Sequence, residues 1–175
     1  MNQAAKSESP ALSLAEPRYR SVGPLLFVGL KQHYASDMSG IVEQWQRFGP
    51  HIGSIPGQAG RVAYGVWYNV QPSPFAMDHL CAVEVSRLAG LPSDFVPLHI
   101  SPHRYAIFPH PGHVSTIRRT VDAIFHSWLP ALGYDHAPSS KTATADTLAF
   151  FERYGENFNP RTGEGDIEIW VPIKE

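Results

Sequence analysis

Apolar residues along this chain alternate between runs of strand length and the three-four spacing of a helix, and the alternation has an order. Leu25 to Leu30 is a short apolar run that predicts a first strand. Ile41, Val42, Trp45 and Phe48 recur at helical spacing, with Asp37 or Ser36 placed to cap the helix and Gly49-Pro50 to stop it. A loop rich in Gly and Pro runs to Gly60. Arg61 to Val70 then predicts a second strand, closed by Gln71-Pro-Ser-Pro74, and His79 to Val85 a third. The first half therefore reads strand, helix, strand, strand.

The same order returns in the second half. Phe95 to Leu98 opens it, and Arg104 to Phe108 predicts a strand ending at Pro109. Gly112 precedes the clearest helix of the chain, whose Val114, Ile117, Val121, Ile124, Phe125 and Trp128 form a buried stripe. Pro130 and Gly133 end it. A polar loop from Asp135 to Asp146 leads to a strand over Thr147 to Phe151, and Ile167 to Ile173 predicts the last strand. The repeat is one of element order, not of residue identity. It predicts an α+β fold: tandem pseudo-two-fold βαββ units forming an antiparallel sheet, two main helices on one face, and a ligand cleft between the halves. Those halves span about residues 18–90 and 91–175 of one domain. Residues 1–17 are small, polar and without periodicity, which predicts a disordered tail.

Charge and cysteine content narrow the function classes. A net charge of −2, with Lys and Arg scattered along 175 residues, leaves no electrostatic footprint for nucleic acid. The single cysteine, Cys81, rules out an internal disulfide and fits a reducing compartment. Its place in a predicted strand fits a small buried hydrophobe better than a nucleophile. No apolar run approaches the ~20 residues that span a bilayer, and the N-terminus lacks the apolar core of a secretory signal. The expectation is a cytoplasmic protein with no membrane partner.

The last strand carries the most informative chemistry. Ile167 to Ile173 is almost wholly apolar but holds one carboxylate, Glu168. An ionised carboxylate buried alone costs several kcal/mol, so the group is neutralised, paired with a counter-charge, or left for a cationic ligand. From spacing alone, an anchoring role and a place on a solvated strand face are both open. Glu168 and Trp170 share strand parity, so they project to one face while Ile167, Ile169 and Val171 project to the other. An acid and an indole on one face suit a flat cation, with rings contributing ~0.5–2 kcal/mol per desolvated contact. Trp67, Tyr68, Tyr64, Tyr154 and Phe108 lie on strands or loops from which they can join that site. Trp45, Trp128 and Phe125 fall on helix stripes and are assigned to the core.

Other constellations are weaker. His99-x-x-x-His103 and His110-x-x-His113 straddle prolines, with no cysteine partner and no helix to align them, so no metal or other cofactor is expected. His110, just ahead of the second helix, either lines the cleft or caps neighbouring backbone. Ser115 and Ser127 sit in no nucleophile elbow, and the Gly-rich pieces around Gly53–Gly60 and Gly163–Gly165 lack the lysine of a phosphate loop.

The stretch from Arg104 to Pro130 (RYAIFPHPGHVSTIRRTVDAIFHSWLP) resembles the central signature of the GyrI-like small-molecule-binding family. Phe151 to Phe158 (FERYGENF) and Gly165 to Ile173 (GDIEIWVPI) resemble its C-terminal signature. Glu16-Pro-Arg, Val28-Gly-Leu and Ala82-Val-Glu-Val85 fit more loosely. The family includes effector-binding domains of AraC-type and drug-sensing MerR-type activators. The resemblance implies a cleft between tandem units and makes Glu168 the acidic anchor for cationic amphipathic compounds. The activators carry a helix-turn-helix ahead of this domain, which the short N-terminal tail is too small to form. The expectation is thus a free-standing member, similar to integron cassette-encoded proteins, that makes no direct contact with DNA.

Three functions are compatible with these residues. The first is binding of small amphipathic, cationic aromatic molecules for drug sensing or sequestration. The second is hydrolysis of reactive cyclopropane-bearing compounds, as in some free-standing members of the family, with Glu168 as general acid and base. The third is inhibition of a macromolecular target, for which no surface is evident in the sequence.

Overall fold

The computed structural model describes residues 13–72, 74–133 and 148–174. Two strands, β1 (Arg18–Val22) and β2 (Leu25–Tyr34), lead into α1 (Ile41–Phe48), followed by β3 (Ala63–Pro72) and β4 (Phe75–Glu84). Then come β5 (Val96–Ile100), β6 (His103–Pro109), a helical stretch, β7 (Leu148–Tyr154) and β8 (Ile167–Ile173). Among the described residues the eight strands form one sheet in the order β1-β6-β8-β7-β3-β4-β2-β5, and every pairing is antiparallel. The order is symmetric about the β7–β3 junction: β6-β8-β7 of the second unit mirrors β2-β4-β3 of the first. Edge strands are exchanged, since β1 pairs with β6 and β5 with β2.

Strand parity sorts the core into two layers. On one face Val28, Leu30, Cys81 and Val83 pack under Phe48 of α1. On the same face Ala106, Phe108, Ile169 and Val171 pack under Ile124 and Leu129 of the second helical stretch. The other face carries Phe27, Val66, Leu80, Tyr105, Ile107 and Phe151. Curling of the sheet buries this second layer. Phe27 on β2 and Phe151 on β7 stand three strands apart, roughly 14 Å in a flat sheet, yet their ring centroids are 5.7 Å apart. Together the curled sheet and the two helices on one face form the α+β architecture that the element order predicts.

Several boundaries differ from the sequence reading. The strand β1 was unread because Arg-Tyr-Arg-Ser-Val has too few apolar residues to signal a strand; its backbone pairs along an edge. At α1 neither Asp37 nor Ser36 caps the helix: Gly40 stands at the N-cap, and the Asp37 carboxylate accepts from the Ser39 amide instead. Val42 is exposed and Gln44 is buried, so the inward face of α1 includes a polar residue the apolar stripe concealed. The second helical stretch is a short 3-10 turn (Val114–Thr116), α2 (Ile117–Ala123), a π-helical turn (Ile124–Trp128) and α3 (Leu129–Leu132). Pro130 lies inside its last turn, and Gly133 ends it in the left-handed region at φ 67°. Leu14, in the expected tail, packs against the second helix's core. The expected loop Asp135–Asp146 and residues 1–12 of the tail lie outside the described residues.

Candidate functional site

The two units meet where β3 pairs with β7, and a polar cluster sits at that seam on the helix-bearing face. Strand pairing places Gly65 opposite Glu152, Phe150 opposite Trp67, and Trp67 opposite His79. Residues 65, 67, 79, 152 and 154 thus share one side of three adjacent central strands. Helix α1 covers them, with Trp45 stacked edge-on 5.3 Å from Tyr154 and 6.1 Å from His79.

Glu152 is the centre of this cluster and is only 6% exposed. Trp67 Nε1 donates to its Oε1 at 3.2 Å, and the Tyr154 hydroxyl donates to its Oε2 at 2.8 Å. Among the described residues no cationic side chain lies within ion-pair distance of it. Burial therefore dominates and pushes its carboxyl up to about 7, partly offset by the hydrogen bonds from Tyr154 and Trp67. Burial also pushes the Tyr154 hydroxyl up, reinforced by the neighbouring Glu152 charge. His79, fully buried, is pushed down to about 3 by the same desolvation, so its imidazole is neutral. Its ring lies 4.1 Å from that of Trp67.

Glu168 stands on the other face. Arg18 reaches Oε1 at 2.7 Å, Arg153 approaches Oε2 at 3.8 Å, and Trp170 Nε1 donates to Oε2 at 2.9 Å. The acid and indole do share a face, as strand parity required. Two guanidinium groups already supply the counter-charge that an otherwise apolar strand implied.

The remaining expected site residues divide between the two faces. Trp67, Tyr154, Phe108 and His110 accompany Glu152 on the helix-bearing face. Phe108, however, is fully buried with its ring 4.8 Å from that of Trp128. His110 Nδ1 is 2.7 Å from Thr120 Oγ1 and its Nε2 is 3.0 Å from the His113 carbonyl, so it ties down the start of the second helix. Trp170, Tyr64 and Tyr68 belong to the inner layer of the curled sheet, where Trp170 stacks on Phe151 at 5.3 Å. Burial pushes the Tyr68 hydroxyl up to about 12. Tyr64 lines a cavity of about 330 Å³ with Val62, Glu84, Val85 and Ser86. That cavity lies on the face opposite Glu152.

Sequence reasoning passed over Glu152, His79, Gln44 and Gly65. For Glu152 the signal was present: Glu152 and Tyr154 are an acid and an aromatic two apart on a strand, the same pattern that singled out Glu168 and Trp170. Nothing in the sequence marked His79 and Gln44, whose roles depend on a contact between α1 and β4.

The comparisons with known proteins agree with this architecture. The family model of the GyrI-like small molecule binding domain matches residues 15–174. No curated protein matches the chain. Among solved structures, SAV2435 bound to tetraphenylphosphonium superposes with a TM-score of 0.69 at 21% identity, covering 91% of this chain and 94% of that one. An integron cassette protein of Vibrio cholerae, VCH_CASS2, gives 0.61 at 17% identity over 92% and 97% of the two chains. The EcmrR C-terminal domain gives 0.66 at 13% identity over 91% and 98%. With its matching model spanning almost the whole sequence and its fold shared with these structures, the chain belongs to the GyrI-like small-molecule-binding family.

Proposed function

We propose that this domain binds small amphipathic cations carrying aromatic rings, on the helix-bearing face at the seam between its two units, and serves to sense or sequester them. Glu152 is the acidic anchor, and Trp45, Trp67 and Tyr154 supply ring surfaces. One observation carries this reading: a buried carboxylate has two hydrogen-bond donors and no cationic partner among the described residues. Its charge is costly in the free protein, and a bound cation removes that cost. That SAV2435 is bound to tetraphenylphosphonium, a bulky aromatic cation, supports the ligand class. A ligand reaches Glu152 by displacing the Trp45 or Tyr154 ring. The eight-residue α1 that carries Trp45 is too short to hold itself rigidly without its packing.

In this reading Glu168, the anchor expected from the last strand, holds β1 and β7 to β8 through Arg18 and Arg153. The test is a titration of the protein with a planar cationic dye and with a neutral dye of the same shape. The expected result is at least tenfold tighter binding of the cation, about 1.4 kcal/mol. Equal affinities would reduce the seam to an apolar pocket.

One observation favours hydrolysis as a second reading. A carboxyl titrating at about 7 is suited to give and take a proton near neutrality. Prolonged incubation of a strained electrophile with excess protein separates the two readings: recovery of the compound unchanged leaves binding alone.

A further inference from the structure

The tautomer of His79 is dictated by its neighbours. Gln44 Nε2 donates to two carbonyl oxygens, Leu30 O at 2.9 Å and His79 O at 3.0 Å. This fixes the amide orientation, because the reverse would set an oxygen against two oxygens. Gln44 Oε1 is therefore an acceptor, and it takes the Tyr34 hydroxyl at 3.0 Å and His79 Nδ1 at 2.8 Å. A nitrogen facing that oxygen must carry the proton. His79 is thus the Nδ1–H tautomer, and its Nε2 is a bare lone pair.

That lone pair is fully buried and has no hydrogen-bond partner among the described residues. Buried polar atoms of this kind are rare and costly. Its direction is set by Gly65. An ideal Cβ on Gly65 would stand 2.7 Å from Glu152 Oε2, 3.0 Å from His79 Nε2 and 3.3 Å from Trp45 Cζ2. The absent side chain lets two acceptors, one anionic and one neutral, converge over Gly65 beside an indole edge, with less than a methyl group's room between them until the Trp45 ring is displaced.

From this convergence we infer that the site selects cations that carry N–H donors, namely primary, secondary or tertiary ammonium groups and amidines, over quaternary cations of equal charge. The inference rests on the cation-binding reading above and adds the ligand's hydrogen-bonding class. The charge is met by Glu152, while an N–H satisfies the Nε2 lone pair. A quaternary cation meets the carboxylate only by charge, and its methyl groups leave Nε2 buried and unpartnered. A site whose buried polar groups are left unpaired by the wrong ligand discriminates strongly.

The experiment uses two probes of one ring and one charge, naphthylmethyl-dimethylammonium and naphthylmethyl-trimethylammonium, titrated calorimetrically into the whole chain. The parent protein is expected to bind the dimethyl compound at least about tenfold more tightly. His79→Phe, which keeps a flat ring but no acceptor, should bring the two affinities within roughly threefold of each other. Gly65→Ala, whose methyl would crowd Glu152 Oε2 at 2.7 Å and His79 Nε2 at 3.0 Å, should weaken both probes and remove the preference between them. It also covers the case in which His79→Phe fails to fold. Glu152→Gln should weaken both probes together. Equal parent affinities for the two probes overturn the inference, and so does a preference that survives both His79→Phe and Gly65→Ala. Unchanged binding of both probes to Glu152→Gln overturns the anchor reading itself, so the two failures are distinguishable.

Discussion

Glu152 and Glu168 stand on neighbouring strands, and each accepts a hydrogen bond from the aromatic residue two positions on, Tyr154 or Trp170. Their surroundings differ. Glu168 has Arg18 and Arg153 beside it, whereas Glu152 has a phenol, an indole and a neutral imidazole nearby. The difference follows from which face each strand position presents. Parity turns Glu168 toward the face that carries Arg18 and Arg153, and turns Glu152 beneath a helix whose inward residues are aromatic or amide. One local pattern, an acid with an aromatic two residues later, thus produces a structural ion pair in one place and a stored, unpaired charge in the other. The pattern identifies a candidate, and tertiary neighbours decide its role.

The largest expected effect comes from removing the stored charge. Glu152→Gln should reduce affinity for a planar cationic dye at least tenfold and by more than any change at Glu168. It should also remove one of the components of the pH dependence of stability. The folded-state value of about 7 lies above the ordinary 4.5 of an exposed glutamate. Between those values the folded protein holds a proton that the unfolded chain has released. The contribution of Glu152 to stability therefore falls as pH rises through this window and levels off above about 7, by a total on the order of 3 kcal/mol. His79, held neutral in the fold, contributes in the opposite sense up to its ordinary 6.5. The melting-temperature difference between the parent and Glu152→Gln, in which the His79 contribution cancels, should therefore decline from pH 4.5 to 8. A difference that grows across the window would mean that Glu152 is paired in solution.

Next in size is the pH dependence of binding. A permanently charged dye gains its partner only when Glu152 ionises, so its affinity should climb as pH rises from 5 to 8 and then plateau. A neutral dye of the same shape should show no such climb. If both dyes follow one profile, the titrating group acts on the pocket's shape and not on charge recognition.

The fold was largely legible because strand and helix periods are local. Ile167–Ile173 coincides with β8, and the second helix lies under its predicted stripe. The unread β1 lacks the apolar content that would announce it, since an edge strand is specified by its partner's free backbone groups. The site was half legible. Alternation told which residues of β8 share a face, but not that two arginines from β1 and β7 would meet Glu168 there. Gln44 shows the limit most plainly. On a helical wheel it is one polar residue among several. Its burial follows only from four hydrogen bonds to three residues on β2 and β4, one of them a histidine 35 residues away.

A smaller effect is expected at the paired carboxylate. Glu168→Gln leaves Arg153, whose side chain is 28% exposed, facing an uncharged amide, and should destabilise the domain by roughly 1–2 kcal/mol. Cationic dye affinity should change less than about threefold, because the removed charge was already matched. Loss of dye binding in Glu168→Gln, with Glu152→Gln unaffected, would reverse the two roles and return the anchor to the last strand.

The smallest effect, and the one that probes the comparison most closely, is at Arg18. Its guanidinium is 2.7 Å from Glu168, but its side chain is 55% exposed, so solvent and salt screen most of the attraction. Arg18→Ala should cost less than ~1 kcal/mol at low salt, and the difference from the parent should vanish in molar salt. Arg153 then remains as the sole guanidinium beside Glu168 among the described residues, and dye affinity should stay at the parental level. The alternative outcome is informative. If removing Arg18 creates new or tighter binding of a cationic dye, and Glu168→Gln abolishes that gain, Glu168 is a second anchor held shut by an arginine. The two carboxylates would then differ only in whether a side chain of the protein already occupies the place of the ligand.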